Sequence, residues 1–141
     1  MTDIQSAPAG ASSDSALPRF SAEVWAAYWA APSLSGGFDV LSDDIVGYWP
    51  EDLEPVRGKE AYTAKIVELL TAAPDLRLEL LDSATVPGAV PGEQLVFLHY
   101  VGHGTGPNGP FSIRGLDRVR SRNGIVVENV IRYEPPILVE R

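Results

Sequence analysis

Asp117 lies in a sequence pattern that could support proton transfer. In the segment 111–121, apolar and polar residues alternate, so Asp117 shares one face of a predicted strand with Phe111, Ile113 and Val119. Burial among apolar groups raises the pKa of a carboxyl group, because it disfavours the charged form, and such a group can donate a proton or a hydrogen bond. Alternatively, Asp117 lies near a strand end or bulge and pairs with a neighbouring arginine.

Both histidines of the protein, His99 and His103, fall on one face of the strand predicted over 94–104. Four residues along a strand span about 13 Å, too far for two side chains to bind one ion, so we predict no metal site. His103 is the better candidate for catalysis, because it lies next to a glycine-rich connection and can face the strand that carries Asp117. The alternative for each histidine is a hydrogen-bonded, partly buried side chain without a chemical role.

Aromatic residues in the first third of the chain could line a cavity for a flat, apolar ligand, since large aromatic side chains often form the walls of small-molecule sites. The alternative is that they form ordinary core. The set comprises Trp25, Tyr28, Trp29, Tyr48 and Trp49. Further on, GTGPNG at 104–109 matches a dinucleotide-binding glycine pattern, but the strand-like residues PFSIR follow it instead of a helix. We therefore interpret it as a hairpin connection.

The composition predicts a single globular domain. The chain has 141 residues, of which 45% are hydrophobic and 21% charged. Its formal net charge of −8 argues against binding to nucleic acid or to an anionic membrane surface. There is no cysteine, which excludes thiolate chemistry. The sequence has no signal-peptide pattern and no apolar run long enough to span a membrane, so we expect a cytoplasmic protein.

The first half of the chain is predicted to be helical around one short strand. Residues 1–18 are rich in Ala, Ser and Pro and are predicted to form a disordered tail, which leaves one domain over 19–141. Ser21 can cap a short aromatic helix that ends at Pro32, and Gly58 begins a second helix that ends at Pro74. Between the helices we predict a turn with one helical turn over 35–43 and a strand over 45–49.

Beyond Pro74 the hydrophobic period changes from that of a helix to that of a strand. Short connections favour an antiparallel meander, and the whole is an α+β arrangement with the helices on one face of the sheet. Arg114 and the arginines at 118, 120 and 122 fall on the face opposite Asp117, as a solvated or dimer-facing surface. The strands are predicted over 76–86, 94–104, 111–121 and 125–133.

The aromatic helix, DDIVGYWP, VRGKEAY and GLDRVRSRNGIVVENVIRYE occur in this order over about 20–135. Together they resemble the nuclear transport factor 2-like superfamily, and within it SnoaL-like polyketide cyclases and ketosteroid isomerase. The resemblance implies a cystatin-like α+β roll, in which a cone-shaped, curved antiparallel sheet wraps around the helices and encloses an apolar cavity. It also implies a homodimer formed through the sheet face.

The same resemblance implies candidate catalytic residues. Asp117 falls where the cyclases have an acid/base aspartate and where the isomerase has a neutral aspartic acid that hydrogen-bonds the oxyanion. His103 falls at the histidine of the cyclases, and Tyr28 at the oxyanion-hole tyrosine of the isomerase. Trp49 departs from the isomerase, because it occupies the position of the proton-shuttling carboxylate. Glu51 or Asp52 would have to reach the cavity to replace it.

The preferred hypothesis is an enzyme of the isomerase or cyclase (lyase) type that acts on a hydrophobic cyclic carbonyl or phenolic compound. Asp117 would exchange a proton with the substrate, His103 would assist and Tyr28 would donate a hydrogen bond; such chemistry requires no cofactor. One alternative is a non-catalytic module that binds an apolar ligand or a protein, and another is a structural dimer with a filled interior. The predicted substrate contacts are Trp25, Tyr48, Trp49, Phe97, His99, Phe111 and Ile113.

Overall fold

The computed structural model describes residues 19–33 and 39–134. The tail predicted over 1–18 lies outside them. The described residues form two helices and six strands in the order α1, β1, β2, α2, β3, β4, β5, β6. The helices are α1 (Ala22–Ala30) and α2 (Lys59–Ala72), and the strands are β1 (Leu41–Tyr48), β2 (Val56–Arg57), β3 (Arg77–Pro87), β4 (Glu93–Gly106), β5 (Gly109–Arg122) and β6 (Ile125–Tyr133).

Both helices begin where the sequence predicts. The hydroxyl oxygen of Ser21 accepts a 3.1 Å hydrogen bond from the backbone N–H of Val24, which caps α1. Gly58 precedes α2 with φ +96°, a conformation that favours glycine. Its N–H donates a 2.7 Å hydrogen bond to the carbonyl oxygen of Ile45, so the start of α2 is attached to β1.

The six strands form one curved, unclosed sheet in the order β2-β1-β6-β5-β4-β3. The predicted meander is confirmed, because β3 to β6 pair with their chain neighbours in antiparallel fashion. The sheet as a whole is mixed, however, since β1 pairs with β6 in parallel, with Val46 opposite Glu128. The curved sheet that the resemblance implies is thus antiparallel except at this one pair of strands.

The first strand also differs from its prediction. β1 begins at Leu41 rather than at residue 45, and residues 39 and 40 form a turn. No helical turn occurs over 39–43, and 34–38 lie outside the described residues. Pairing with β6 explains the longer strand, because Leu41 is already opposite Val126. This partner lies far away in the sequence, so the local pattern gives no sign of it.

A tight turn fixes the register between β5 and β6. Asn123 and Gly124 have φ values of +53° and +85°, as expected for a two-residue type I′ hairpin connection. A β-bulge between Arg120 and Ser121 then shifts the pairing by one residue, so that Asp117 is opposite Ile131. Asn129 is two residues away along β6, so it shares the face of Asp117.

The helices pack against the concave face of the sheet, which we call the inner face. The core between them includes Ile45 and Leu98, whose exposed fraction is 0% for both. Burial of these side chains stabilises the attachment of helices to sheet. Of the described residues, no helical segment has the length and apolar character needed to cross a membrane.

Candidate functional site

A cavity of about 430 Å³ lies between the inner face and the two helices. Its wall is mainly apolar and aromatic, and it includes all three tryptophans of the chain. Among the described residues that line it, Asp117 is the only carboxylic acid, and there is no lysine, arginine or histidine. The aromatic wall consists of Phe20, Trp25, Tyr28, Trp29, Trp49, Tyr62, Tyr100, Phe111 and Tyr133.

Asp117 is held on the inner face by two neutral donors. Its exposed fraction is 6%. The hydroxyl of Tyr100 donates a 2.8 Å hydrogen bond to Oδ1, and Nδ2 of Asn129 donates a 3.1 Å hydrogen bond to Oδ2. Strand alternation predicts that Asp117 lies on the same face of β5 as apolar side chains. The structure agrees with that face assignment.

The surroundings of Asp117 favour its neutral form. Burial raises the pKa of Asp117 to about 6, although the hydrogen bonds from Tyr100 and Asn129 lower it in part. The alternative of pairing with a neighbouring arginine is not found. Arg118 instead donates to Glu128 at 2.6 Å on the opposite side of the sheet. Near pH 6 both the acid and its carboxylate are therefore populated.

Two further tyrosines, Tyr62 and Tyr133, belong to the same cavity wall as Asp117. Nδ2 of Asn129 also donates to the hydroxyl oxygen of Tyr62 at 2.9 Å, which links Tyr62 indirectly to Asp117. Burial raises the pKa of Tyr62, Tyr100 and Tyr133, so all three hydroxyls stay protonated near neutral pH. Within the described part of the chain, Tyr133 makes no hydrogen bond through its hydroxyl, and that of Tyr62 only accepts one. Both hydroxyls can therefore donate to a ligand.

Two glycines make room for these aromatic rings. A Cβ atom at Gly115, which is paired with Tyr100, would lie 2.5 Å from the tyrosine hydroxyl oxygen. A Cβ atom at Gly47 would lie 2.5 Å from Cζ3 of Trp49. The site thus depends on positions that carry no side chain.

The predicted pairing of His103 with Asp117 is not found. Leu98 is opposite Asp117 in the register of β4 and β5, so the even-numbered residues of this part of β4 face inward. His103 therefore lies on the other side of the sheet, which we call the outer face, and its Nδ1 is 3.1 Å from Oγ of Ser112.

Phe97 and His99 are displaced from their predicted substrate contacts for the same reason. Both lie on the outer face, where Nε2 of His99 is 2.9 Å from Oε2 of Glu134. The sequence pattern separated the two faces of β4 correctly. It did not identify which one faces the cavity, because apolar residues occur on both.

Most of the remaining residues that the sequence predicts as site residues line the cavity, and one does not. The cavity wall includes Trp25, Tyr28, Trp49, Phe111 and Ile113. Tyr48 is not part of the wall, because it alternates in direction with Gly47 and Trp49.

Tyr28 differs from its predicted role in one respect. Its hydroxyl donates a 3.0 Å hydrogen bond to the carbonyl oxygen of Ser33, and burial raises its pKa. It lines the cavity, but no direct contact joins it to Asp117 in the described structure. Tyr28 is thus positioned by its own helix terminus rather than by the acid.

Neither carboxylate proposed as a replacement at Trp49 lines the cavity. Nζ of Lys65 lies 3.0 Å from Oδ2 of Asp52 and 3.5 Å from Oε2 of Glu51. The same ammonium group lies 5.6 Å from the centre of the Trp49 ring. Lys65 therefore holds both acids behind Trp49, away from the cavity.

Sequence reasoning missed Tyr62, Tyr100, Asn129 and Tyr133. One signal was available for Tyr100: it continues the alternation of Val96 and Leu98 along β4, and these are among the most buried residues of the chain. The described residues contain no cluster of three His, Asp or Glu side chains that could hold a metal ion.

Known structures share this fold. A protein of ketosteroid isomerase-like fold from Catenulispora acidiphila, in complex with trimethylamine, is 13% identical; the alignment covers 79% of this chain and 83% of that one, with a TM-score of 0.65. A proposed polyketide cyclase from Pseudomonas putida is 16% identical over 79% and 87% of the two chains, with a TM-score of 0.60. A proposed aromatic ring hydroxylase from Novosphingobium aromaticivorans is 16% identical over 81% and 84%, with a TM-score of 0.66. At such identities the likeness shows the fold alone.

The sequence itself carries the family relationship. No curated protein matches the chain. Residues 22–129 match the SnoaL-like domain family. This match extends from the start of α1 to Asn129 and contains the strands that carry Tyr100 and Asp117. The chain belongs to the SnoaL-like domain family, as its resemblance indicated.

Proposed function

We propose that this protein is an acid/base catalyst of the isomerase or cyclase type, acting on a hydrophobic cyclic carbonyl or phenolic compound in the aromatic cavity. The observation that carries the proposal is the environment of Asp117, a buried carboxyl group with a pKa of about 6 at the wall of an apolar cavity. A pKa close to the working pH is what general acid/base catalysis requires. The SnoaL-like family and the name of the Pseudomonas putida relative agree with this class of reaction.

In the proposed reaction Asp117 transfers the proton. Its carboxylate removes a proton from the carbon next to the substrate carbonyl, and the C–H electron pair forms the carbon–carbon double bond of an enolate. The hydroxyls of Tyr62 and Tyr133 donate hydrogen bonds to the enolate oxygen as its charge develops.

The proton then leaves Asp117. In an isomerisation it returns to another carbon of the conjugated system. In an aldol-type cyclisation the enolate carbon attacks a second carbonyl, whose oxygen takes the proton. His103 has no role, because it lies on the outer face.

Substitution of the acid tests this proposal. Asp117→Asn keeps the shape of the side chain but cannot accept the proton, so turnover of ring ketones or cyclisable polyketones should be lost by about 10²-fold or more. The matched control is Asp75→Asn, which alters an exposed aspartate that binds Thr105 and is expected to keep wild-type turnover. Undiminished turnover in Asp117→Asn would contradict the proposal.

A second candidate function is ligand binding without turnover. It is favoured by Trp49, which stands where a second carboxylate would be needed, and by the ion pairs of Lys65 that keep Glu51 and Asp52 outside the cavity. Ligand binding with no product from any ring ketone or phenol would support this candidate instead.

A further inference from the structure

We propose that the cavity also binds hydrophobic ammonium compounds, which pair with the carboxylate of Asp117 and pack against the aromatic wall. This ligand class goes beyond the neutral carbonyl and phenolic compounds of the proposed function. The inference rests on the charge of the cavity and on the position of its aromatic rings.

The described cavity wall carries one group that ionises near neutral pH. The groups that face Asp117 are Tyr100 from β4, Asn129 and Tyr133 from β6, and Tyr62 from α2. All are neutral at that pH, because burial raises the pKa of each tyrosine. Once Asp117 is ionised, the wall therefore holds a negative charge without a counter-ion. A buried charge of this kind is stabilised by a cation.

Two pairs of aromatic rings are connected to this carboxylate through hydrogen bonds. The ring of Trp25 is 5.1 Å from that of Tyr100, whose hydroxyl binds Asp117. The ring of Trp49 is 5.1 Å from that of Tyr62, which is linked to Asp117 through Asn129. A cation within about 6 Å of a ring centre is attracted by the negative ring face. An ammonium group bound at Asp117 in this cavity would thus be in a wall formed largely by aromatic rings.

The contact of Lys65 with Trp49 shows that one of these rings already packs against a cation. The Lys65 ammonium group lies 5.6 Å from the centre of the Trp49 ring. This contact places one cation against Trp49 outside the cavity wall. A cation inside the cavity would be attracted by aromatic rings in the same way. Bulky, apolar ammonium compounds are favoured there, because they lose less hydration on burial than a small ammonium ion.

Three adamantane derivatives of nearly equal shape test the proposal. 1-Adamantylammonium, 1-adamantanol and 1-adamantanecarboxylate differ mainly in charge, and calorimetry at pH 8 measures their affinities for the full chain. Quenching of the three cavity tryptophans gives a second readout. We expect the ammonium compound to bind at least about tenfold more tightly than the alcohol, as for a charge-assisted hydrogen bond. The carboxylate should bind most weakly.

Two measurements show whether the affinity for the ammonium compound depends on Asp117. In Asp117→Asn the ammonium affinity should fall by about tenfold or more, while the alcohol affinity changes little. Asp75→Asn serves as the control with the same substitution on the exterior. In the unmodified protein the ammonium affinity should rise as the pH increases through about 6, since only the carboxylate attracts the cation.

Several results would overturn the proposal. These are equal affinities for the ammonium compound and the alcohol at pH 8, no binding of the ammonium compound, and an ammonium affinity that survives Asp117→Asn. The proposed function is judged separately, because turnover of neutral ketones is measured without the ammonium compound. Alcohol binding with no ammonium preference would reject this inference and leave that proposal standing.

Discussion

The hydroxyl of Tyr100 on β4 donates a 2.8 Å hydrogen bond to Oδ1 of Asp117 on β5. The two residues are not directly opposite each other, since Tyr100 is paired with Gly115 and Asp117 with Leu98. The bond therefore runs diagonally across the inner face. The missing side chain at Gly115 provides the space for the tyrosine ring. Burial raises the pKa of Asp117, and the hydrogen bond that partly lowers it comes from a tyrosine whose position depends on a glycine.

Removal of this hydroxyl should make Asp117 a weaker acid. The hydrogen bond from Tyr100 lowers the pKa of Asp117, which burial raises to about 6, so Tyr100→Phe should raise that pKa further. The side-chain carboxyl carbon shift, followed by NMR across pH, gives the value. Tyr48→Phe is the matched control, because it removes a hydroxyl outside the cavity wall. An unchanged pKa in Tyr100→Phe would show that the bond does not form in solution.

Asp117 should also make the stability of the protein depend on pH. Its pKa is raised from 3.8 to about 6 in the native state, so between these values the folded chain binds more protons than the unfolded chain. The free energy of unfolding therefore falls as the pH rises through this window, by about 3 kcal/mol, and is constant for this group above it.

Denaturant unfolding of the wild type and of Asp117→Asn at pH 4 and pH 7 measures this effect as a difference in their free energies of unfolding. Other groups titrate in the same window in both proteins, so the stability difference between wild type and Asp117→Asn isolates Asp117. The wild type should lose about 2 kcal/mol relative to the variant on going from pH 4 to pH 7, which is less than the full effect because the unfolded carboxyl is already partly ionised at pH 4. A difference that stays constant with pH would mean that Asp117 has an ordinary pKa. Asp75 and Glu93, whose pKa values are lowered by their hydrogen bonds, contribute equally in both proteins and cancel in this difference.

Alternation within single strands predicted much of the site. It placed Asp117 with Ile113 and Val119, because a strand with one polar side and one apolar side has only one plausible inner face. β4 has apolar residues on both sides, Phe97 on one and Leu98 on the other, so its inner face depends on the register with β5. The sequence pattern alone therefore does not indicate that His103 lies on the outer face.

Long-range pairing was beyond the reach of local patterns. The parallel contact of β1 with β6 joins Val46 to Glu128, and nothing near either residue indicates the other. The same holds for the contact between Asn129 and Tyr62, which belong to elements far apart in the chain. Short turns, by contrast, are encoded locally, as Asn123 and Gly124 show.

The space at Gly115 can be tested directly. Gly115→Ala places a Cβ atom 2.5 Å from the hydroxyl oxygen of Tyr100, which forces the ring away from Asp117. We expect a loss of stability of about 1–3 kcal/mol from this overpacking and a rise in the pKa of Asp117. Gly106→Ala is the control, because its Cβ atom would be in ordinary contact with Phe111 at 3.7 Å. Equal effects of both substitutions on the pKa of Asp117 would argue against this role of Gly115.

The outer face is expected to bind a second copy of the chain. It exposes large apolar side chains, with 40% of Phe97 and 44% of Leu116 accessible to solvent. Arg118 and Arg120 on this face are already paired with Glu128, so they can be covered without leaving an unpaired charge. A two-fold axis through the face would bring the exposed apolar side chains of the two copies together.

Sedimentation analysis of charged variants tests this arrangement. Phe97→Glu and Leu116→Glu would each bury an unpaired acid in the interface, so we expect them to convert a dimer into a monomer. Leu53→Glu introduces the same charge at a fully exposed leucine outside the sheet and should leave the dimer intact. A wild-type chain that sediments as a monomer at all concentrations would contradict the prediction. So would a dimer that persists in both outer-face variants, because the interface would then lie elsewhere.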